Sequence, residues 1–269
     1  MMTTSQAMAA SAPADVLVLP RQGKKAPRAY IVGATDTGKS TLMEVLMTNY
    51  QEAYSTKELP VRTLIVDTKP RFKAERHLSG ITTYSSGKYS KWGYGSGVVP
   101  DSYLIEPGGN IKSQLDQVWR LGGKVAIVQS ESKSEWSFVA KTAQVFYEGY
   151  GAKYPRLLLV DELADFYEIR SLGDIFQRVA RNGRERDCSL IAGSQRPRKV
   201  PVEIMTEMLR LYMFELNYSV GSESDLRHIM QFGLPPSVLI PQGHVFYMYD
   251  RKLKLEPPSN LYYELDLAA

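Results

Sequence analysis

The sequence holds a single cysteine, Cys188, so no disulfide can form within the chain. A lone thiol inside the apolar run CSLIAGS reads as a buried, reduced side chain. Histidine is nearly as scarce, with three scattered residues, which excludes a metal cage built from histidine and cysteine. No stretch approaches the roughly 18 to 20 consecutive apolar residues that a membrane-crossing helix needs. The N-terminus lacks the basic-then-apolar build of a secretory signal, so the expected location is the cytoplasm. Net charge is weak too: the formal balance is +4, too small by itself to point to a partner.

What the sequence does hold is the composition of a folded protein, 43% hydrophobic and 23% charged over 269 residues. That length can bury one substantial core, so a single α/β domain with decorations is expected. Charge is unevenly spread. Between Arg178 and Lys199, seven basic residues (Arg178, Arg181, Arg184, Arg186, Arg196, Arg198 and Lys199) stand against two acidic ones, Glu185 and Asp187. A solvated face would account for the surplus, and so would an anion-binding surface around a strand of the sheet.

Apolar runs and helical periodicity alternate along the chain. Residues 1–27, rich in Ala, Ser, Thr and Met and then basic, read as a flexible tail. Ala29 to Val32 forms a short buried strand running into glycine, and a helix follows from Lys39 with Leu42, Val45 and Leu46 on one face. Arg62 to Thr68, RTLIVDT, is a second buried strand. Further strands are predicted at 103–106, 125–128, 157–162, 188–195, 210–216 and 244–249. Helices are predicted at 112–121, 136–147 and 169–182, and from Val202 and Glu223. Residues 79–100, dominated by Gly, Ser, Tyr and Lys, read as an exposed insertion, and residues 251–269 as a C-terminal tail. The alternation predicts one domain over residues 28–250, a mostly parallel sheet flanked by helices with its ligand at the carboxyl ends of the strands.

The chemistry is concentrated in Gly33 to Ser40, GATDTGKS, which lies between a buried strand and an amphipathic helix. In this phosphate-loop pattern the backbone of Gly33, Ala34, Thr35, Asp36, Thr37, Gly38 and Thr41 surrounds phosphate oxygens. Lys39 reaches the β and γ phosphates, and the Ser40 hydroxyl takes Mg²⁺. The strand LLLVDE delivers Asp161, expected to share the Mg²⁺, and Glu162, expected to orient the attacking water. Carboxylates that favour a helix start would also explain that pair. Gln195, ending the next apolar strand, is expected near the γ-phosphate. Asp67 and Lys69 also end a strand close to the site, but a surface turn explains them equally, and they stay outside the catalytic set. No Asn-Lys-x-Asp base-reading motif occurs, which favours ATP over GTP.

The stretches VDELADFY and RNGRERDCSLIAGSQRP resemble the corresponding region of the FtsK/HerA superfamily of DNA-translocating and DNA-packaging ATPases. There the Asp-Glu strand is followed by a helix, an Arg eleven residues before a Gln, and Gln-Arg-Pro; Arg184, Gln195, Arg196 and Pro197 occupy those places. The resemblance implies a RecA-like P-loop NTPase that hydrolyses ATP with Mg²⁺. It also implies that Arg184 acts in a neighbouring subunit's site, which demands a homo-oligomeric ring. Family members commonly carry Gly three residues after that Arg, where this chain has Asp187. Arg181 and Arg186 remain alternatives for the same role.

The absence of added domains resembles minimal genome-packaging motors acting on double-stranded DNA, in the cytoplasm or with the virion. Candidate DNA contacts are Arg196, Arg198 and Lys199 in a pore, and Lys88 and Lys91 with Trp92 and Tyr94 in the insertion; exposed loops would explain both groups. The two tails are candidate contacts for a portal, capsid or membrane protein. Two other functions fit the same residues: a ring ATPase that energises conjugation or protein secretion, and a nucleotide-dependent assembly switch with little hydrolysis. Glu162, Gln195 and Arg184 together argue against the switch.

Overall fold

The computed structural model describes residues 17–21, 26–78, 98–151, 153–169, 172–216, 222–232, 234, 245–250 and 262–264. In chain order the elements are β1 (Arg28–Val32), α1 (Lys39–Tyr54), β2 (Arg62–Asp67), β3 (Lys73–His77), β4 (Val98–Leu104), α2 (Ile111–Arg120), β5 (Val125–Gln129), α3 (Trp136–Glu148), β6 (Arg156–Val160), α4 (Leu163–Phe166), α5 (Asp174–Asn182), β7 (Cys188–Ser194), α6 (Val202–Met205), β8 (Arg210–Met213), α7 (Ser222–Met230), β9 (Val245–Asp250) and β10 (Tyr262–Glu264).

Strands such as RAYIV and RLLLV are apolar at nearly every position because helices cover both faces of the sheet. Successive side chains point to opposite faces, and the core divides accordingly. Tyr30, Val32, Leu64, Val66, Leu158, Val160, Leu190 and Ala192 pack with residues from α2 to α7. Ala29, Ile31, Ile65, Leu157, Leu159 and Ile191 pack on the other face against α1, through Leu42, Met43, Leu46, Met47 and Tyr50.

The described strands form one ten-stranded sheet in the order β10-β9-β8-β1-β7-β6-β2-β5-β4-β3. From β8 to β3 the pairing is parallel, which brings the carboxyl ends of β1, β7, β6 and β2 side by side. Beyond β8 the sheet reverses: β9 pairs antiparallel with β8, and β10 antiparallel with β9. Arg210 and Asp250 sit directly opposite each other at that reversal and form a buried ion pair of 2.8 Å.

Several boundaries depart from the sequence-based expectation. β4 begins at Val98, five residues earlier than expected and inside the assigned insertion; residues 79–97, with Lys88, Lys91, Trp92 and Tyr94, lie outside the described residues. The single helix expected over 169–182 is shorter and starts at Asp174, after the separate turn α4. Gly173 precedes it because the Tyr167 ring fills the space a side chain would need, while the Tyr167 hydroxyl donates to the Gly173 carbonyl at 2.9 Å. β3 and β10 were not expected from the sequence pattern, and β10 lies within the assigned C-terminal tail.

Part of the assigned N-terminal tail is also docked. Leu19 is fully buried, a burial that contributes about 2 kcal/mol, on the face covered by α1. The Leu17 carbonyl accepts from Asn49 (3.0 Å), the Val18 carbonyl from Arg210 (2.9 Å) and the Leu19 carbonyl from the Tyr54 hydroxyl (3.1 Å). Among the described residues no helix is long and apolar enough to cross a membrane.

Candidate active site

The loop after β1 is anchored by its neighbours: the Gly33 amide donates to the Ser194 carbonyl (3.3 Å) and the Ala34 amide to the Glu215 carbonyl (2.6 Å). Gly38 stands before α1 at φ 99°, a left-handed conformation that costs a side-chain-bearing residue roughly 1 kcal/mol, and it turns the chain sharply into the helix. The first amides of α1 therefore face the loop's concavity. No side chain caps them and the first turn carries no acidic residue, so the positive helix end is left for an external anion.

Lys39 is almost fully buried inside this loop, its ammonium donating to the Ala34 carbonyl. Burial pushes its pKa down to about 8, against the opposing pull of Glu162 and Asp161. The Thr37 hydroxyl donates to the same Ala34 carbonyl at 3.0 Å. From the end of β6, Asp161 accepts from the Ser40 hydroxyl at 3.0 Å. A hydroxyl and a carboxylate this close, beside a lysine and a row of helix amides, fit the oxygen donor set of Mg²⁺ with a nucleotide's phosphates. Among the described residues there is no group of three or more His, Cys, Asp or Glu side chains suited to a metal cage.

Glu162 is 1% exposed, and its carboxylate is held by three contacts. Ser194 Oγ donates to it at 2.8 Å, the Gln195 amide at 3.0 Å, and the Lys69 ammonium stands 3.8 Å away. Burial raises the pKa of Glu162, and burial together with the nearby Asp67 raises that of Asp161. Gln195 joins the two halves of the site, since its amide meets Glu162 while its side-chain Oε1 accepts from Thr35 at the loop tip (3.0 Å).

The loop after β2 belongs to the site, which corrects the surface-turn reading of Asp67. That carboxylate is fully buried and accepts from the amides of Lys69 (2.9 Å), Arg71 (2.6 Å) and Phe72 (3.0 Å), which folds residues 67–72 into a compact turn. The turn aims Lys69 at Glu162 and brings Arg71 to 3.3 Å from Ser40 Oγ and 3.9 Å from Asp161. Arg71 carried no signal in the sequence beyond its place after a strand-ending Asp and a proline.

Solved structures share this fold. The genome packaging NTPase B204 from Sulfolobus turreted icosahedral virus 2, in complex with ATP-γS, is similar with a TM-score of 0.50 at 15% identity, over 85% of this chain and 93% of that one. The same protein in complex with sulfate gives 0.51 at 17% identity, over 84% and 92%. EssC (ATPases 2 and 3) from Geobacillus thermodenitrificans gives 0.50 at 13% identity, over 85% of this chain and 38% of that one. No protein-family model matches the sequence, and no curated protein does. The chain has the P-loop NTPase fold.

Within that fold, Arg184 lies at the opposite edge of the sheet from the phosphate loop. It sits in the 3₁₀ turn Gly183–Arg186 before β7, and Gln195 follows the same strand's far end, about 20 Å away at ~3.3 Å per residue. Arg181 and Arg184 are exposed. Arg186 instead stacks on the Tyr147 ring at 5.2 Å. The basic residues after Gln195 are locally neutralised: Arg196 pairs with Glu168 (3.0 Å) and Asp165 (3.3 Å), Lys199 pairs with Glu168 (2.5 Å), and Arg198 is 3.9 Å from Asp225. Hydrogen bonds from Lys133 and Lys199 pull the Glu168 pKa down to about 2.

Proposed function

We propose that this chain hydrolyses ATP and, as a homo-oligomeric ring, uses the energy to move double-stranded DNA, most simply as a genome-packaging motor. The observation that carries the reading is Glu162: a buried carboxylate with a raised pKa, fixed by Ser194 and Gln195 beside Lys39, Ser40 and Asp161. A site that only bound nucleotide would have no need of that group.

In this reading the amides of residues 33–41 and the Lys39 ammonium bind the triphosphate. Mg²⁺ held between Ser40 and Asp161 would supply positive charge to the β and γ oxygens. Glu162 orients a water and takes its proton as the water oxygen bonds to the γ-phosphorus and the bridging oxygen leaves with ADP. Lys69 and Arg71 add charge from the same subunit. Arg184 is too distant to serve its own site, so its role there requires a neighbour, and this is the argument for a ring. Gln195 touches both Thr35 and Glu162 and leads directly into Arg196, Arg198 and Lys199, giving a covalent path from the phosphates to candidate DNA contacts. The partner that docks the ring is open to a portal, capsid or membrane protein. A ring ATPase that energises conjugation or protein secretion is the second reading, because the same ATP chemistry would serve it.

Steady-state ATP hydrolysis, measured with and without duplex DNA at low salt, tests the proposal. DNA should stimulate turnover, Glu162→Gln should lower kcat about 10²- to 10⁴-fold while nucleotide still binds, and mixing Glu162→Gln with Arg184→Ala subunits should restore part of the activity. Turnover indifferent to DNA would move the function to secretion, and mixtures that restore nothing would refute the shared site.

A further inference from the structure

The turn carrying Arg184 is clamped from three sides by other arginines. Arg28 Nη1 donates to the Ala180 carbonyl in the last turn of α5. Arg156, whose side chain is fully buried, donates to the carbonyls of Arg186, Gly151, Phe146 (2.6 Å) and Tyr147 (2.8 Å). Arg21, from the docked N-terminal segment, forms an ion pair of 2.5 Å with the Asp187 carboxylate, both side chains being less than one-fifth exposed. Asp187 closes the turn at φ 50°, ψ 48°, a left-handed conformation in which glycine is the least strained residue. The chain tolerates Asp there and uses its carboxylate.

Arg21 is itself fixed. Its amide donates to the Tyr54 hydroxyl at 3.0 Å, its guanidinium lies 5.5 Å from the Tyr54 ring centroid, and Leu19, two residues earlier, is buried under α1. Tyr54 ends the helix whose first turn forms the phosphate loop. One rigid path therefore runs from the phosphate-binding helix, through Tyr54 and Arg21, to the turn that presents Arg184.

We propose that the Arg21–Asp187 pair is a brace that positions Arg184 for the neighbouring subunit's site, making both of them positioning residues for hydrolysis. The inference rests on the shared-site reading above. It predicts that a defect in the brace is felt next door, not in the subunit that carries it.

The test uses Arg21→Ala and Asp187→Gly in the full-length chain. Asp187→Gly removes the carboxylate but relieves the left-handed backbone, and thermal unfolding of each variant separates a loss of folding from a loss of positioning. Each variant should lower kcat about threefold to tenfold with KM for ATP unchanged, and the double variant should be no worse than either alone, as for the two halves of one interaction. Mixing Arg21→Ala with Glu162→Gln subunits should recover activity, because the latter still present a braced Arg184. Arg21→Lys should retain most of the rate. Unchanged kcat in Asp187→Gly, or a loss that Glu162→Gln subunits do not complement while they do complement Arg184→Ala, overturns the brace alone. If Glu162→Gln and Arg184→Ala fail to complement each other, the shared site falls and the brace with it.

Discussion

Raising the pH from about 7 to about 9 should weaken nucleotide binding through Lys39. Phosphate oxygens bind the ammonium form, and burial holds the Lys39 pKa at about 8, below the ordinary lysine value. The direction follows: affinity is full well below pH 8 and declines as pH rises through it. At pH 7 about nine-tenths of the sites carry the charge and at pH 9 about one-tenth, so the apparent Kd should rise about tenfold, or ~1.4 kcal/mol. Asp161 and Glu162, whose pKa values are raised, are common to the natural chain and to Lys39→Met, so the difference between their two slopes belongs to Lys39. Titration of a non-hydrolysable ATP analogue with Mg²⁺ at pH 7, 8 and 9 reads the effect. Calorimetry in two buffers of different ionisation heat should show about 0.9 proton taken up per site at pH 9. A wild-type log Kd that is flat across the window would refute the reasoning, as would an equal slope in Lys39→Met.

Three further outcomes follow from packing and charge. Arg156→Met leaves four carbonyls without their shared donor at the ends of α3 and the Arg184 turn, and should cost about 3 kcal/mol or more, a Tm fall of roughly 5–10 °C by scanning calorimetry. Gly193→Ala places a methyl against the Asp161 carbonyl and 2.8 Å from Met43 Cε; it should destabilise the fold by ~2 kcal/mol and weaken nucleotide binding, because Asp161 cannot stay in register with Ser40. Lys88→Ala with Lys91→Ala should weaken duplex DNA binding and reduce the salt slope of log K by up to about 1.8, near 0.9 for each phosphate no longer neutralised; an unchanged slope removes the insertion from the DNA path.

The sheet and the heart of the site were legible because their signals are local. A strand buried on both faces must be apolar at every position, so β1, β2, β5, β6 and β7 stand out as short hydrophobic runs, each ending where a polar residue meets the ligand edge. Edge elements gave weaker signals. β3 reads KAERH, charged because it lies at the margin of the sheet, and β10 spans only Tyr262–Glu264. The docking of residues 17–21 turns on one buried leucine and a set of backbone carbonyls, which composition does not reveal.

By itself the sequence determined where the Gly33–Ser40 loop, the Asp161–Glu162 pair and Gln195 fall, each just after an apolar strand, and the alternation that makes the sheet parallel, since each depends on neighbours a few residues away along the chain. Only the tertiary structure decided that Asp67 is a buried fold-maker and not a surface turn, that Arg71 reaches Ser40, that Arg184 stands at the far edge from its own loop, and that Arg21 holds Asp187 across 166 residues of chain. Those roles depend on which strand ends lie side by side and on which charges are left without water, and both are set when the sheet assembles.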